Sequence, residues 1–385
     1  MPTITSLLDT DLYKLTQMQA VLHQFPGAEV EYSFKCRNTP EMPLEDVANN
    51  IRDDIKALCD LRFTEDELNY LSTIRYFKKD FIEFLRYFQL DYNHIHISTK
   101  DGFNVKIVGS WLSTILFEVP ILAIINERHF ERLKFSEYVA HTYLTHKIRY
   151  INENPFKLIE FGTRRRYSKV WQKFIVKELK DKVESECFFG TSNAKLAMEF
   201  GLKPIGTMAH EFLQAAQALG PRLVDSQKFA LQKWADEYRG DLGIALADVV
   251  GVDAFLNDYD MYFSKLFDGV RHDSGDPIEF GEKIIKHYEG MNIDPKTKVI
   301  VFSDGLSFGE ARKINDIFKN RIKTSFGIGT NLTNDVGMDP LQIVIKMTKC
   351  NGQTVAKLSD SPGKTMCEDE SYMNYLKSVF QGRKK

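Results

Sequence analysis

The sequence holds too few cysteines, too widely spaced, for a metal knuckle or a disulfide framework. Five are spread over 385 residues, as Cys36, Cys59, Cys187, Cys350 and Cys367, with no CxxC pair. Reduced thiols in a cytoplasmic protein are the natural reading. A surplus of positive charge is also missing. With 51 basic residues against 53 acidic, the formal charge is -2. That argues against a broad nucleic-acid surface and leaves room for a local basic pocket. No apolar run is long enough to span a bilayer, so no membrane partner is expected. The most apolar stretch, Trp111 to Ile125, is interrupted by Glu118 and Pro120 and reads as buried core. Met1-Pro2-Thr3-Ile4-Thr5 has neither a basic region nor an apolar signal core. Low-complexity segments are absent. What remains is 43% hydrophobic and 27% charged, and long enough for a large core in two domains.

Residues 1–110 mix helix and strand signals. Asp9-Thr10-Asp11 stands where a cap would precede a helical run through Tyr13, Met18 and Val21. Val30-Glu31-Tyr32-Ser33-Phe34 alternates like a half-buried strand. Thr64-Glu65-Asp66-Glu67 has the capping-box pattern. His94-Ile95-His96-Ile97 and Val105-Lys106-Ile107-Val108 read as strands around an Asp101-Gly102 turn. From about residue 155 the rhythm becomes strand, loop, helix. Strand candidates end near Phe161, Phe189, Ile205, Ala245, Val270, Phe302, Phe326 and Ile345, with amphipathic stretches such as Glu211–Leu219 and Glu279–Tyr288 between them. Parallel strands joined by helical crossovers follow, and about eight such units close a β/α barrel. The irregular spacing and the long crossover from Ile205 to Ala245 predict a distorted barrel, with an open doubly wound sheet as the alternative. The tail differs again: a strand at Thr354–Leu358, a turn at Ser361-Pro362-Gly363-Lys364 and a short helix around Tyr372–Phe380. The predicted organisation is α/β. An N-terminal α/β domain over 1–110 is completed by 350–385, and an irregular, TIM-like β/α barrel covers 111–349.

One phrase recurs: an apolar run, then Gly-Thr, then a predicted helix. It stands at Phe161-Gly162-Thr163, Phe189-Gly190-Thr191 and Ile205-Gly206-Thr207. Glycine allows a tight turn off a strand, threonine can cap the following helix, and a helix start favours anions. The third copy places His210 in the first turn of the next helix. A lone histidine is more often a core or capping residue, but among anion-receptive turns a neutral imidazole can attack a phosphoryl group. Thr163-Arg164-Arg165-Arg166 follows the first copy. A charge run is usually a solvated face; here Arg164 is expected to point inward as a carboxylate or phosphate ligand, with Arg165 or Arg166 turned outward. Asp268 to Pro277 includes Arg271 and Asp273, suited to a diphosphate and to ribose hydroxyls, though an ordinary capped turn is the bland reading. Ser303-Asp304-Gly305 and Phe326-Gly327-Ile328-Gly329-Thr330 add two more glycine-containing strand-end loops. No residue set is read as a resident metal site.

In order and number these motifs resemble the nicotinate phosphoribosyltransferase family over nearly the whole chain. The likeness runs from Thr10-Asp11-Leu12-Tyr13-Lys14 through Glu160–Arg164, Gly190–Asn193, Gly206–Glu211, Val270–Pro277, Ser303–Gly305 and Phe326–Thr330 to Lys357–Lys364. The resemblance implies attack of nicotinate on 5-phosphoribosyl 1-diphosphate, release of diphosphate, and ATP hydrolysis coupled through phosphorylated His210, with magnesium carried by the phosphates. It implies the irregular barrel with a smaller domain from both chain ends. It also implies a homodimer with shared sites, in which Tyr13 and Arg37 come from the neighbouring subunit. Phe161 and Tyr13 would sandwich the ring, and Arg164, beside Thr163, would face its carboxylate. Asp273 would hold the ribose, and Arg271 and Lys346 would offset diphosphate. Gly305, Gly329 and Thr330 would receive phosphates. Nicotinamide-using relatives place an acid where this chain has Ser192, so Ser192 favours the free acid. Those relatives also carry an arginine near the position of Asn334, and this chain has none between Thr330 and Lys346. The alternatives are a nicotinamide-specific enzyme and a silent nucleotide-binding barrel acting as a sensor.

Overall fold

The computed structural model describes residues 2–38, 40, 42–133, 135–206, 208–358, 367 and 369–381. They fall into two units. One comprises Met1–Gly27, Glu31–Gly206 and Ile328–Lys346, the other Ala28–Val30, Thr207–Gly327 and Met347–Lys385. Among the described residues no helix is long and apolar enough to cross a membrane.

In the first unit, helix α1 (Leu12–Gln24) is a core helix: from Leu12 to Val21 only Tyr13 is not buried. Asp11 precedes it but makes no side-chain cap; its carboxylate accepts from Ser192 Oγ instead. Thr64 and Glu67 do form the predicted capping box. Strands β1 (Ile95–Ser98) and β2 (Asn104–Ser110) make the expected antiparallel hairpin, with Ile95 opposite Ile107. The apolar stretch splits into a short helix, Trp111–Thr114, and α2 (Glu118–Phe130), whose residues Val119 to Asn126 are all buried. Pro120 sits in the first turn of α2, where its missing N–H breaks no bond. Strands β3 (Leu158–Glu160) and β4 (Phe188–Thr191) run parallel, Glu160 opposite Thr191, with α3 (Lys169–Lys182) as the crossover. Helix α4 (Ala194–Phe200) follows. The strand expected to end at Ile205 is reduced to a single bridge between Thr191 and Pro204, because proline cannot donate to a ladder.

In the second unit, α5 (His210–Leu219) and the helix Ser226–Tyr238 fill the long crossover. Strands β5 (Ile244–Leu246), β6 (Gly269–His272), β7 (Val299–Phe302) and β8 (Lys323–Ile328) then pair in chain order, all parallel. Helices α6 (Pro277–Gly290) and α7 (Phe308–Phe318) supply the last two crossovers. The ladder needs Gly269: a Cβ there would lie 1.9 Å from the Val299 carbonyl oxygen. The strand through Ile345 does not extend this run. It spans Ile343–Cys350 and ends antiparallel to Gln353–Thr354. The strand expected over Thr354–Leu358 is therefore only two residues long. Beyond it the chain leaves the ladder, and Leu358 N donates to Val249 O. The C-terminal helix runs Glu370–Gln381. Thr207 and the Ser361–Lys364 turn lie outside the described residues.

Neither described Gly-Thr pair caps a helix. Thr163 opens a 3-10 turn, Thr163–Arg165, and Ser168 caps α3. Asn193, rather than Thr191, caps α4. Both threonines are instead fully buried. Their hydroxyls belong to a polar core.

Candidate functional site

In the second unit the strand ends converge on His210, the first residue of α5. Its Nε2 lies 2.9 Å from Asp248 Oδ1, 2.8 Å from Lys357 Nζ and 3.4 Å from Asp273 Oδ2. Lys357 also donates to Asp248 Oδ2 at 2.5 Å, and Ser274 Oγ donates to the same oxygen at 2.6 Å. Arg271 reaches Asp273 Oδ1 at 2.9 Å and Ser303 Oγ at 2.8 Å. Asp248 and Lys357 are almost wholly buried, while His210 keeps 24% of its side chain exposed.

Burial lowers the His210 pKa first, and the Lys357 ammonium lowers it further; Asp248 and Asp273 oppose both without winning. The imidazole is therefore neutral near pH 7 and keeps a nucleophilic lone pair. Burial would raise Asp248, but Lys357 and His210 hold it well below the usual carboxylate range. Asp273 is likewise held down, against burial, by Arg271, His210 and Lys357.

Ligand atoms of His210, Asp248 and Asp273 lie within 4.8 Å of one another. An ammonium already serves that spot, since Lys357 touches both His210 and Asp248. Magnesium prefers oxygen, retains water and is usually shared with substrate phosphates. Both Asp248 oxygens are bonded at short range, by His210 on Oδ1 and by Lys357 and Ser274 on Oδ2, whereas Asp273 takes Arg271 and Ser303 on Oδ1 and leaves Oδ2 with His210 at 3.4 Å, so Asp273 Oδ2 is the carboxylate oxygen that fits such an ion.

In the first unit a second polar cluster forms around Arg164. Its guanidinium lies 3.6 Å from Glu118 Oε1 and is 41% exposed, and Glu118 also pairs with buried Lys14. Ser192 Oγ donates to Asp11 Oδ1 at 2.7 Å. Burial pushes the Asp11 carboxyl up, Arg164 and Ser192 resist, and Glu118 adds to the rise. Phe161 is half-buried on the turn between β3 and Arg164. Its N–H donates to Ile328 O, and its carbonyl would lie 2.7 Å from a Cβ on Gly329. Glycine at 329 thus admits the Phe161 backbone itself.

The profile of the nicotinate phosphoribosyltransferase (NAPRTase) family matches residues 156–384, and that of the NAPRTase N-terminal domain matches residues 8–126. The chain belongs to the nicotinate phosphoribosyltransferase family. A relative of that name from Burkholderia mallei is 55% identical over 98% of this chain and 96% of its own. One from Ralstonia nicotianae is 54% identical over 98% and 99%. The solved nicotinate phosphoribosyltransferase of Vibrio cholerae superposes with a TM-score of 0.94 at 38% identity, covering 100% of this chain and 95% of that one. The enzyme from Porphyromonas gingivalis gives 0.92 at 35% identity over 98% and 99%. The α/β fold class expected from the sequence is therefore the family's fold.

Within that family frame, the structure groups the candidate residues by unit. His210, Arg271 and Asp273 form one cluster in the second unit. Gly305 lies in the same unit with φ +61, a conformation that favours glycine. Tyr13, Arg37, Phe161, Thr163, Arg164, Ser192, Gly329, Thr330 and Lys346 fall in the first. The resemblance has Tyr13 and Arg37 lent by a neighbouring subunit. Backbone contacts anchor the start of α1, which carries Tyr13: Leu12 N donates to Ser192 O, and a Cβ on Gly206 would lie 2.9 Å from Tyr13 N. Of Arg165 and Arg166, one of which is expected to turn outward, Arg165 is partly exposed and Arg166 is fully buried between Asp9 and Glu127. Asn334 Nδ2 donates to Arg165 O at 2.9 Å, so this position holds the arginine turn. Two residues of the histidine cluster went unassigned from sequence. Asp248 lies two positions past β5, where an acid after an apolar strand is a usable signal. Lys357 opens the last stretch of the family likeness, where no role is read for it.

Proposed function

We propose that the chain converts nicotinate and 5-phosphoribosyl 1-diphosphate to nicotinate mononucleotide and diphosphate, coupled to ATP hydrolysis through phosphohistidine, in NAD salvage. The observation that carries the coupling is the neutral His210 held against Asp248 and Lys357 at the start of a helix. A ring nitrogen forms the N–P bond with the terminal phosphoryl group of ATP as ADP leaves. Water later takes the phosphoryl group and restores the imidazole. Lys357 and Arg271 offset the anionic charge, and the helix start adds its dipole. Asp273 holds the ribose hydroxyls, and magnesium, when bound, screens the departing diphosphate. Arg164 pairs with the nicotinate carboxylate while Phe161 and the partner subunit's Tyr13 flank the ring. The free thiols support a reducing, cytoplasmic setting. A homodimer is part of the proposal on the strength of the resemblance, and light scattering tests it. The decisive experiment gives purified protein nicotinate, phosphoribosyl diphosphate, magnesium and ATP. Absence of nicotinate mononucleotide refutes the reading.

Asp11 favours a second substrate, because an acid beside Ser192 could accept from the amide of nicotinamide. Arg164 opposes it, and competition between the two substrates decides. A related prediction concerns Ser192→Asp. The new carboxyl would face Asp11, whose pKa burial already raises. Two carboxyls in one buried site repel an anionic substrate. Nicotinate KM is expected to rise by roughly tenfold or more, read from initial rates.

Lys357→Met gives a pH prediction. His210 works as the neutral base, so activity falls as pH drops through its pKa. Burial holds that pKa down first, and Lys357 second. Without the ammonium the His210 pKa rises. The acid limb of the ATP-coupled rate should therefore move to higher pH, while the ATP-independent rate keeps its profile.

A further inference from the structure

We propose that Glu160 is a positioning residue that locks the turn bearing Arg164 to the turn bearing Ser192, and so sets the grip on the substrate carboxylate. This rests on the reading of the Arg164 cluster as the nicotinate subsite.

Glu160 ends β3 with its side chain fully buried, where an apolar residue would be the cheaper occupant. One carboxyl ties three elements. Its Oε1 accepts from Gly162 N at 2.5 Å and from Gln172 Nε2 of α3 at 3.0 Å. Its Oε2 accepts from Thr191 Oγ1, on β4, at 2.5 Å. The main chain doubles the tie, since Ser192 N donates to Glu160 O at 2.9 Å. The bonds bear on the two described Gly-Thr turns: Gly162-Thr163 leads directly to Arg164, and Gly190-Thr191 leads directly to Ser192.

The surroundings leave the first turn little freedom. Gln172 Nε2 also reaches Thr163 Oγ1 at 3.1 Å. A Cβ on Gly162 would lie 2.1 Å from the Thr333 hydroxyl. Asn193 N donates to Thr191 Oγ1 at 3.0 Å, fixing the second turn. Among the described residues the Glu160 side chain bonds to both turns, and Asn193 Nδ2, 3.4 Å from Thr163 Oγ1, adds a longer tie between them. Loosening Glu160 leaves the two turns joined by the main-chain bond and the longer Asn193–Thr163 contact, so Arg164 and Ser192 gain freedom relative to each other, and a displacement of about 1 Å in a positioning group can cost orders of magnitude.

The tie does not depend on a full negative charge. Burial raises the Glu160 pKa to about 7, against the bonds from Thr191, Gly162 and Gln172 and with Asp11 adding to the rise. A neutral carboxyl keeps both acceptor bonds on Oε1 and turns its own proton toward Thr191. It also avoids repelling an anionic substrate. Glutamine can imitate that form: its oxygen accepts on the Gly162 side and its NH2 donates to Thr191.

The test compares wild type, Glu160→Ala, Glu160→Gln, Thr191→Val and Thr191→Ser by steady-state kinetics with nicotinate and phosphoribosyl diphosphate varied in turn. Glu160→Ala is expected to raise nicotinate KM by about tenfold or more while the phosphoribosyl diphosphate KM stays within about threefold. Glu160→Gln restores most of the loss. Thr191→Val cuts the same tie from its other end and gives the same selective rise, which Thr191→Ser reverses. If Glu160→Ala does not fold, the Thr191 pair decides alone. An unchanged nicotinate KM in Thr191→Val, or equal rises for both substrates, overturns the proposal. A wild type that makes no nicotinate mononucleotide instead refutes the functional reading.

Discussion

A His210→Ala protein is expected to make nicotinate mononucleotide at one slow rate, with or without ATP. Wild type should be accelerated by ATP and should hydrolyse it during turnover. The neutral ring is the group expected to attack. A protonated histidine has no lone pair to offer, and burial with Lys357 keeps the ring unprotonated. Two cationic groups stand in the same cluster to meet the proposed phosphoryl group: Lys357 touches His210, and Arg271 is tied to Asp273 and Ser303. Removing the nucleophile should abolish ATP hydrolysis by roughly a thousandfold or more. Arg271 and Asp273, proposed to serve the diphosphate and ribose, stay in place, so the uncoupled reaction is expected to survive. His210→Asn separates nucleophile from scaffold, because its amide can still bond to Asp248 and Lys357. Both variants should lose acid-labile label from γ-labelled ATP. Label retained in either, or ATP-linked acceleration at the wild-type level, would remove His210 from the mechanism.

The elements legible in the sequence were those with a local physical cause. The capping box at Thr64, the hairpin across Asp101-Gly102 and the strand–helix rhythm from Ala245 to Phe326 all rest on near neighbours, and all are present. His210 was legible because its place at a helix start is itself a short-range property. The misreadings have the opposite cause. Asp11, Thr163 and Thr191 look like caps, yet each hydroxyl or carboxylate is claimed by a residue on another element, 181, 9 and 31 positions away. Asp11 takes Ser192, Thr191 takes Glu160, and Thr163 takes Gln172. Lys357 stands 147 positions from the ring it touches. Local propensity carries no trace of such pairings. The Arg164-Arg165-Arg166 run shows the limit most plainly: three like residues, of which one is exposed enough to bind and another is core.

Arg166 carries the second large prediction, which concerns stability. Its guanidinium makes a bidentate pair with Asp9 at 2.7 and 2.9 Å, reaches Glu127 Oε1 at 2.9 Å and touches Gln172 Oε1 at 3.1 Å. It is fully buried, and Asp9 is nearly so. Arg166→Met keeps much of the volume but leaves two buried carboxyls without their cation. Breaking a buried pair from one side costs about 3–5 kcal/mol, far more than the net worth of the pair. The exposed Arg149–Glu153 pair, 3.8 Å apart, is the control: removing Arg149 should cost about 1 kcal/mol or less. Urea unfolding at pH 7 reads both. The pH dependence gives a further check. In wild type, burial acts to raise Asp9, but Arg166 holds it below its usual value, so its stabilisation is present at neutral pH and is lost as pH falls through that lowered pKa. In the variant the main opposition to burial is gone, leaving the Asn193 bond and Lys169 to lower Asp9 and the Lys169 N–H to lower Glu127, so both carboxyls bind protons more readily than in wild type. The variant therefore gains on wild type as pH drops from 7 toward the ordinary carboxylate range. A gap that stays constant between pH 7 and pH 5 would show that Arg166 stabilises by packing and not by charge.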